Sequence, residues 1–155
     1  MSKIGEKIKA VIIEEAKEYG IFLVGQKFAP GGILLQYFMD SEGPLDMNVM
    51  SKFARHINRL SEEMDLGERK FTLEVSSPGA NKPLSDIRQL PKHLGKTLVV
   101  KVGEDEVEGE FKSLNGEELE LEKKIFRSIN SKKFTTEIVN IKWQDSSEIK
   151  VKLKY

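Results

Sequence analysis

The residues best suited to catalysis in this 155-residue chain are two histidines and a pair of serines. His56 and His93 have no second histidine or carboxylate at metal-ligand spacing, which favours surface histidines over a zinc ligand or general base. Ser76 and Ser77 end a strand-like run, but the G-x-S-x-G elbow is absent, which favours turn and cap roles. No P-loop or G-x-G-x-x-G motif occurs, and the absence of cysteine excludes thiolate metal sites. We therefore predict no catalytic residue, no cofactor and no metal.

A row of basic residues indicates a different chemistry, the binding of anions. Lys52, Arg55, His56 and Arg59 recur at spacings of three and four within a segment of helical periodicity, so they lie on one face of a predicted helix. Such a row is either a solvated helix face or a set of phosphate contacts. The 25 basic and 25 acidic side chains of the chain cancel, so any contact with RNA must be local.

The C-terminal half separates its charges along the sequence. Residues 104–122 hold nine acidic side chains and one basic side chain, a net charge of −8, whereas residues 123–155 hold nine basic and three acidic, a net charge of +6. Strand alternation turns the acids away from the core and makes one acidic face. That face is either charged protection of a sheet edge or a docking face for a basic protein. The candidate docking residues are Glu110, Glu118, Glu120 and Glu122.

A bulge is predicted within this acidic face. Phe111 and Leu114 both fit buried positions although they are three apart, which indicates one extra residue in the strand and brings Glu110 close to Glu122. Asn115-Gly116 supplies the tight turn to the next strand. Because like charges on neighbouring strands repel, the stability of the sheet alone does not explain this face.

The N-terminal half has the pattern of a mixed domain. Apolar residues recur at helical spacing in two segments and at strand spacing in three. Turn residues, Ala29-Pro30-Gly31-Gly32, join the first two strands into a hairpin. The predicted elements are, in order, a helix over 4–19, strands over 21–28 and 33–39, a helix over 46–64 and a strand over 71–75.

The apolar period changes to two after Gly95 and predicts a small all-β barrel. Before it, Pro78, Gly79 and Pro83 interrupt the sheet pattern. A short helix is predicted around Pro91. The chain is thus predicted to be an α+β protein with an N-terminal domain over 1–84, a connector over 85–94 and a barrel over 95–155. The predicted inward residues of the barrel are Leu98, Val100, Val107, Phe111, Leu119, Leu121, Ile138, Ile141, Ile149, Val151 and Leu153.

Composition is that of a globular protein. Hydrophobic residues make up 39% and charged residues 32% of the chain. No apolar run approaches the roughly 20 residues that span a bilayer, and the N-terminus has no signal core. We expect a soluble, cytoplasmic monomer without membrane contact or a small-molecule substrate.

The segment from Leu73 to Leu84 resembles a family signature. It reads L-E-V-S-S-P-G-A-N-K-P-L, which is similar to the L-E-V-S-S-P-G-x-[D/N]-[R/K]-P-L signature of the RimP family of bacterial ribosome maturation factors. Residues 20–24, 40–43 and 134–141 resemble further segments of that family. Where its members usually carry Leu-Asp-Arg, this chain has Ala80-Asn81-Lys82, which keeps the positive charge but loses the arginine fork and the carboxylate.

The resemblance implies both a fold and a function. The fold would be a KH-like N-terminal domain and an Sm-like or SH3-like barrel, but no two glycines are three apart, so the GXXG clamp of KH domains is missing. The function would be maturation of the small (30S) ribosomal subunit, with the immature particle, ribosomal protein S-twelve and 16S rRNA as partners. The candidate ribosome contacts are Lys52, Arg55, Arg59, Gly79, Asn81, Lys82 and Pro83.

Two other functions stay open from the sequence. A free-standing RNA-binding translation regulator could use the same two modules, and it would bind short single-stranded RNA without associating with ribosomal particles. An enzyme is the third possibility, and its turnover would be lost on mutation of Ser76, Ser77 or His56.

Overall fold

The computed structural model describes residues 3–29, 34–64, 71–79 and 82–153. The chain divides into two compact units, Met1–Pro78 and Gly79–Tyr155. No helix within the described ranges is both long and apolar enough to cross a bilayer.

The first unit combines two helices with a three-stranded sheet. Its elements are α1 (Lys3–Tyr19), β1 (Phe22–Phe28), β2 (Leu34–Asp40), α2 (Met47–Glu63) and β3 (Thr72–Ser76). β1 and β2 pair antiparallel and β2 and β3 pair in parallel, so β2 is the central strand. A parallel pair needs a crossover connection, and α2 supplies it between β2 and β3.

The apolar stripes of both helices and alternate residues of β2 form the core of the first unit. Tyr37 is fully buried and donates its hydroxyl to the carbonyl oxygen of Gly5 over 2.7 Å, and burial raises the pKa of its phenol. Position 5 favours glycine, because a Cβ there would lie 2.7 Å from the ring of Phe28. The remaining core residues are Ile8, Ile12, Ala16, Ile21, Leu35, Met39, Met50, Phe53, Ile57 and Leu73.

The second unit is a five-stranded antiparallel sheet. Its strands are β4 (Thr97–Val102), β5 (Asp105–Asn115), β6 (Glu118–Phe126), β7 (Phe134–Lys142) and β8 (Glu148–Val151). They lie in the order β7-β6-β5-β4-β8. The buried core of this sheet consists of Leu90, Leu98, Val100, Phe111, Leu119, Leu121, Ile141 and Ile149.

Two-residue turns link β4 to β5 and β5 to β6. Each begins with a glycine in the left-handed region, Gly103 with φ of 61° and Gly116 with φ of 62°. The last pair before the second turn is Asn115 opposite Glu118, so the turn consists of Gly116 and Glu117. Glycine at the first turn position matches the twist of antiparallel strands at little steric cost.

The segment predicted as a connector packs against the second unit. The backbone N–H of Leu84 donates to the carbonyl oxygen of Ile149 over 2.8 Å, Leu90 is fully buried in the core, and Ile87 packs against it. Two 3-10 turns, Ile87–Gln89 and Pro91–His93, replace the predicted short helix. The compact units therefore divide at residues 78 and 79, whereas the domain bounds 1–84 and 95–155 from the sequence stay a prediction.

The predicted α+β class is confirmed, with an α-β-β-α-β unit followed by an antiparallel sheet. The Sm-like or SH3-like classification of that sheet stays a prediction. Its predicted inward set is wrong at Ile138, which is 48% exposed. Val139 and Ile141 face the core instead, because they are the residues opposite the buried Leu121 and Leu119. Most of the predicted hairpin turn at 29–32 lies outside the described residues.

Candidate functional site

The predicted bulge in the acidic face is confirmed. The register between β5 and β6 shifts between Phe111 and Ser113, so Lys112 is the extra residue. Phe111 and Leu114 consequently both turn towards the core of the sheet. On the other face, Glu110 lies directly opposite Glu122, as the sequence predicts.

Lys112 resolves the repulsion between these two glutamates. Its ammonium group forms an ion pair with Glu110 and lies 3.4 Å from a carboxylate oxygen of Glu122. The hydrogen bond from Lys112 holds the pKa of Glu110 below its ordinary value, and the bonds to Glu110 and Glu122 raise the pKa of Lys112. At this one pair of the acidic face, the extra residue of the bulge supplies the counter-charge.

Three further acidic residues of the face lie beside polar or basic residues. Glu120 accepts a hydrogen bond of 2.6 Å from the hydroxyl of Ser113, and Glu118 lies opposite Lys142 of β7. Glu108 forms an ion pair of 3.0 Å with Lys152. The four candidate docking residues therefore share one face, but that face is less acidic than the sequence indicates, because later basic residues fold back onto it.

A projecting ribbon is the feature that reasoning from the sequence missed. β5 pairs with β6 as far as Glu122, and beyond this point residues 123–126 pair with residues 134–137 of β7. We call residues 123–137 the β6–β7 arm. Of the eight large hydrophobic side chains exposed in the described part of the chain, five lie on or next to this arm: Ile125, Phe126, Ile129, Phe134 and Ile138.

The arm pairs aromatic with basic side chains. Phe126 and Phe134 lie opposite each other at its last rung, with ring centroids 5.6 Å apart. The ammonium group of Lys124 lies 4.7 Å from the centre of the Phe134 ring. A groove of about 700 Å³ runs from the acidic face to Lys124 and Phe126. Alternation of aromatic and basic residues over 123–134 is the sequence signal that marks this region.

The basic row on α2 is only partly as predicted. Lys52, Arg55 and Arg59 are exposed, which suits them to anion contact. His56 departs from the row, because its Nε2 lies 3.3 Å from a carboxylate oxygen of Glu15 on α1 and its side chain is 28% exposed. Its ring also lies 5.8 Å from that of Tyr19. His56 is therefore part of the contact between α1 and α2, next to the buried Ile57 in the sequence.

The turn after β3 presents three of its four candidate residues to solvent. The N–H of Lys82 donates to the carbonyl oxygen of Gly79 over 3.0 Å, which closes the turn. Gly79, Lys82 and Pro83 are exposed, and Asn81 lies outside the described residues. The turn leads directly into Leu84, which pairs with β8 of the second unit.

The residues considered for catalysis lie on separate elements. Ser76 ends β3, Ser77 follows it, His56 is on α2, and His93 ends the second 3-10 turn. Within residues 3–29, 34–64, 71–79 and 82–153, no three histidine or acidic side chains are grouped to hold a metal ion.

One comparison with known proteins identifies the first unit. Residues 10–81 match the family model of the RimP N-terminal domain. The match covers most of α1, the whole of β1, β2, α2 and β3, and the turn up to Asn81. It includes the Leu73 to Asn81 part of the signature that the sequence displays. The first unit therefore has the N-terminal domain of RimP proteins, the family whose signature the sequence resembles.

Proposed function

We propose that this protein acts in assembly of the small (30S) ribosomal subunit by binding the immature particle. The match of residues 10–81 to the RimP N-terminal domain carries this proposal. An assembly factor works by binding and release, and a fold with several charged surfaces suits that task. The expected place of action is the cytoplasm, where ribosomal particles are assembled.

The acidic face is proposed to dock a basic ribosomal protein, with S-twelve of the decoding centre as the partner. Carboxylates on neighbouring strands attract lysine- and arginine-rich segments and repel RNA phosphates. Because Glu110 and Glu122 contact Lys112, Glu118 and Glu120 are the members best placed to meet an external cation. Glu118 is exposed, and Glu120 is half-buried beside Ser113.

The basic row on α2 and the turn after β3 are proposed to contact 16S rRNA. Lys52, Arg55 and Arg59 present three cations from one helix, and guanidinium groups can bind phosphate oxygens in pairs. Lys82 presents a fourth cation from the turn, stiffened by Pro83. We propose the turn residues Gly79 and Asn81 as part of the contact that Lys82 makes.

Sedimentation tests the proposal as a whole. The purified protein is mixed with free small subunits or with complete ribosomes, and we expect it to co-sediment with the free subunits. A strain that lacks the gene should accumulate small-subunit particles with unprocessed ribosomal RNA, most visibly at low temperature. Normal subunit profiles in that strain at low and high temperature would overturn the proposal. Affinity for short single-stranded RNA without particle association would favour the translation regulator.

Charge reversal on β6 tests the docking face. The variant Glu118→Lys/Glu120→Lys should lose binding to purified S-twelve at low salt, and Glu62→Lys/Glu63→Lys on α2 is the matched control with the same change in net charge. Glu122 is left unchanged, because a lysine there would face Lys112. Equal affinities for both variants would show that this face is only a charged sheet surface.

A single substitution tests the turn. Lys82→Glu should weaken association with free subunits and leave the melting temperature within about 1–2 °C of the unchanged protein, because exposed substitutions cost little. Parallel loss of binding and stability would instead give Lys82 a structural role.

A further inference from the structure

The β6–β7 arm carries more exposed apolar surface than its own stability requires. Phe126 is 51% exposed, Phe134 is 44% exposed, and Ile129 at the tip is fully exposed. A two-stranded ribbon is marginal in water, and the cross-strand ring pair stabilises it. That pair does not account for Ile129 and Ile125, which lie outside it. Exposed apolar groups of this density mark an interaction surface.

The charge of the arm restricts what this surface can bind. Residues 123–137 hold five basic side chains and one acidic side chain, a net charge of +4. The basic residues are Lys123, Lys124, Arg127, Lys132 and Lys133. Hydrogen bonds fold the tip, from the N–H of Arg127 to Lys133 over 3.4 Å and from the N–H of Ser131 to Ser128 over 3.1 Å. The cations are therefore held close to the exposed rings.

We propose that the β6–β7 arm binds unpaired RNA, with a base stacked on Phe126 and phosphates held by Lys132, Lys133 and Arg127. Single-stranded nucleic acid offers both a flat apolar face and a regularly charged backbone, which are the two features that the arm complements. In a duplex the bases are stacked on each other and hidden from Phe126. The arm should therefore prefer single strands.

Two other occupants fit the arm less well. A second copy of this chain would bring two arms of net charge +4 together, and their repulsion opposes such a contact. An acidic protein segment would match the charge, but it does not offer a flat ring at every repeat as a nucleic acid does. A second copy has its own outcome in the experiment below.

Fluorescence anisotropy with a labelled RNA tests the proposal. The probe is a single strand of about 12 nucleotides, within the site size of single-strand binders, with mixed sequence and no self-complementarity. The same strand annealed to its complement is the duplex probe. Affinities are measured with the full chain over a series of salt concentrations. The probe contains no ribosomal particle, so this result and the sedimentation result can fail independently.

Two variants separate stacking from charge. Phe126→Leu keeps an apolar side chain but removes the ring, so it should weaken single-strand binding about 5- to 100-fold and leave duplex binding unchanged. Lys132→Glu/Lys133→Glu should weaken binding and make the slope of log K against log salt shallower by about 1.4, the effect of losing two phosphate contacts. The matched control Lys3→Glu/Lys7→Glu, with the same change in net charge, should keep the full slope.

Several outcomes would overturn the proposal. Equal single-strand affinity for Phe126→Leu and the unchanged chain would remove the stacking role, and equal slopes for the arm variant and its control would remove the phosphate contacts. Sedimentation that shows a dimer lost in Phe126→Leu, without RNA binding, would assign the arm to a second copy. Thermal unfolding of each variant verifies that the fold is kept, and the charge variant leaves both rings in place if Phe126→Leu unfolds.

Discussion

Strand β6 has two sections that differ in the number of strands paired with them, and its charged residues have different neighbours in each section. From Glu118 to Glu122 it lies between β5 and β7. Its carboxylates contact Lys112 and Ser113, and Glu118 lies opposite Lys142. From Lys123 to Phe126 it pairs with β7, and its aromatic and basic side chains extend to solvent. The charged residues of the first section have a paired strand on both sides, whereas those of residues 123–126 pair with β7 beyond the end of the β5 pairing. The number of flanking strands therefore separates structural charges from candidate binding charges.

The two sections of β6 also differ in how well the charge counted in the sequence matches the charge on the surface. The acidic section has the larger charge in the sequence, but Lys112, Lys142 and Lys152 fold onto it. The arm has a smaller charge in the sequence, and one acidic residue lies within it. The net charge counted along the sequence thus overestimates the surface charge of the acidic section and underestimates that of the arm.

The largest expected effect on stability comes from removing the segment that contains Leu90, which packs into the core of the second unit. A fragment of residues 79–155 should unfold cooperatively, whereas residues 95–155 lack Leu90, which is fully buried in the sheet core. Loss of one such leucine side chain costs about 2–5 kcal/mol, so the shorter fragment should be mostly unfolded. Urea unfolding of both fragments measures this. Equal stability of the two fragments would support the prediction from the sequence that residues 85–94 are only a connector.

A smaller effect is expected at Gly109 of β5, whose backbone lies against Glu122 of β6. A Cβ on Gly109 would lie 2.9 Å from the carbonyl oxygen of Glu122, so Gly109→Ala should lower the free energy of unfolding by about 1–3 kcal/mol. In the control Gly43→Ala the new Cβ meets no atom within 4 Å, and the change should be small. Chemical denaturation compares the two, and a neutral Gly109→Ala would show that the strands can separate without cost.

Removal of the positive charge of Lys112 should leave the repulsion between Glu110 and Glu122 uncompensated. Lys112→Met leaves Glu110 opposite Glu122, so the urea midpoint should fall at neutral pH and recover partly in high salt. Lys132→Met on the arm is the control and should leave the midpoint unchanged. If salt does not change the urea midpoint of Lys112→Met, repulsion between Glu110 and Glu122 does not destabilise the fold.

The pH dependence of this difference follows from the two pKa shifts. Glu110 has a pKa lowered from 4.5, so its contribution is present above 4.5 and is lost as the pH falls through the lowered value. Lys112 has a pKa raised from 10.5, so its contribution is present below 10.5 and is lost as the pH rises through the raised value. The midpoint difference between the unchanged chain and Lys112→Met should therefore be greatest between these limits and narrow on either side.

The smallest effect on stability is expected on the arm. Phe126→Leu keeps an apolar side chain and loses one ring contact, so the free energy of unfolding should change by about 0.5–1 kcal/mol at most. The same variant is expected to lose RNA affinity, which contrasts with Gly109→Ala. Circular dichroism melting measures the stability. A large destabilisation would show that the arm is part of the folded core.

The extent to which the sequence predicts the site depends on how local each feature is. The bulge followed from Phe111 and Leu114 alone, because two inward residues three apart require one extra residue between them. The ion pairs of Lys112 did not follow, because they depend on the register of β6 against β5. His56 was placed on the solvent face for a similar reason: its contact with Glu15 exists only once α1 packs beside α2.

By itself, the sequence determined the order of helices and strands, the α+β class and the family signature at Leu73 to Leu84. These features depend on apolar period and turn residues within short segments, which the chain encodes locally. Only the tertiary structure decided that Leu84, Ile87 and Leu90 belong to the second unit, that Ile138 faces solvent, and that the β6–β7 arm projects beyond β5. The physical reason is that burial of a side chain depends on which strands lie beside it, and strands distant in sequence supply those neighbours.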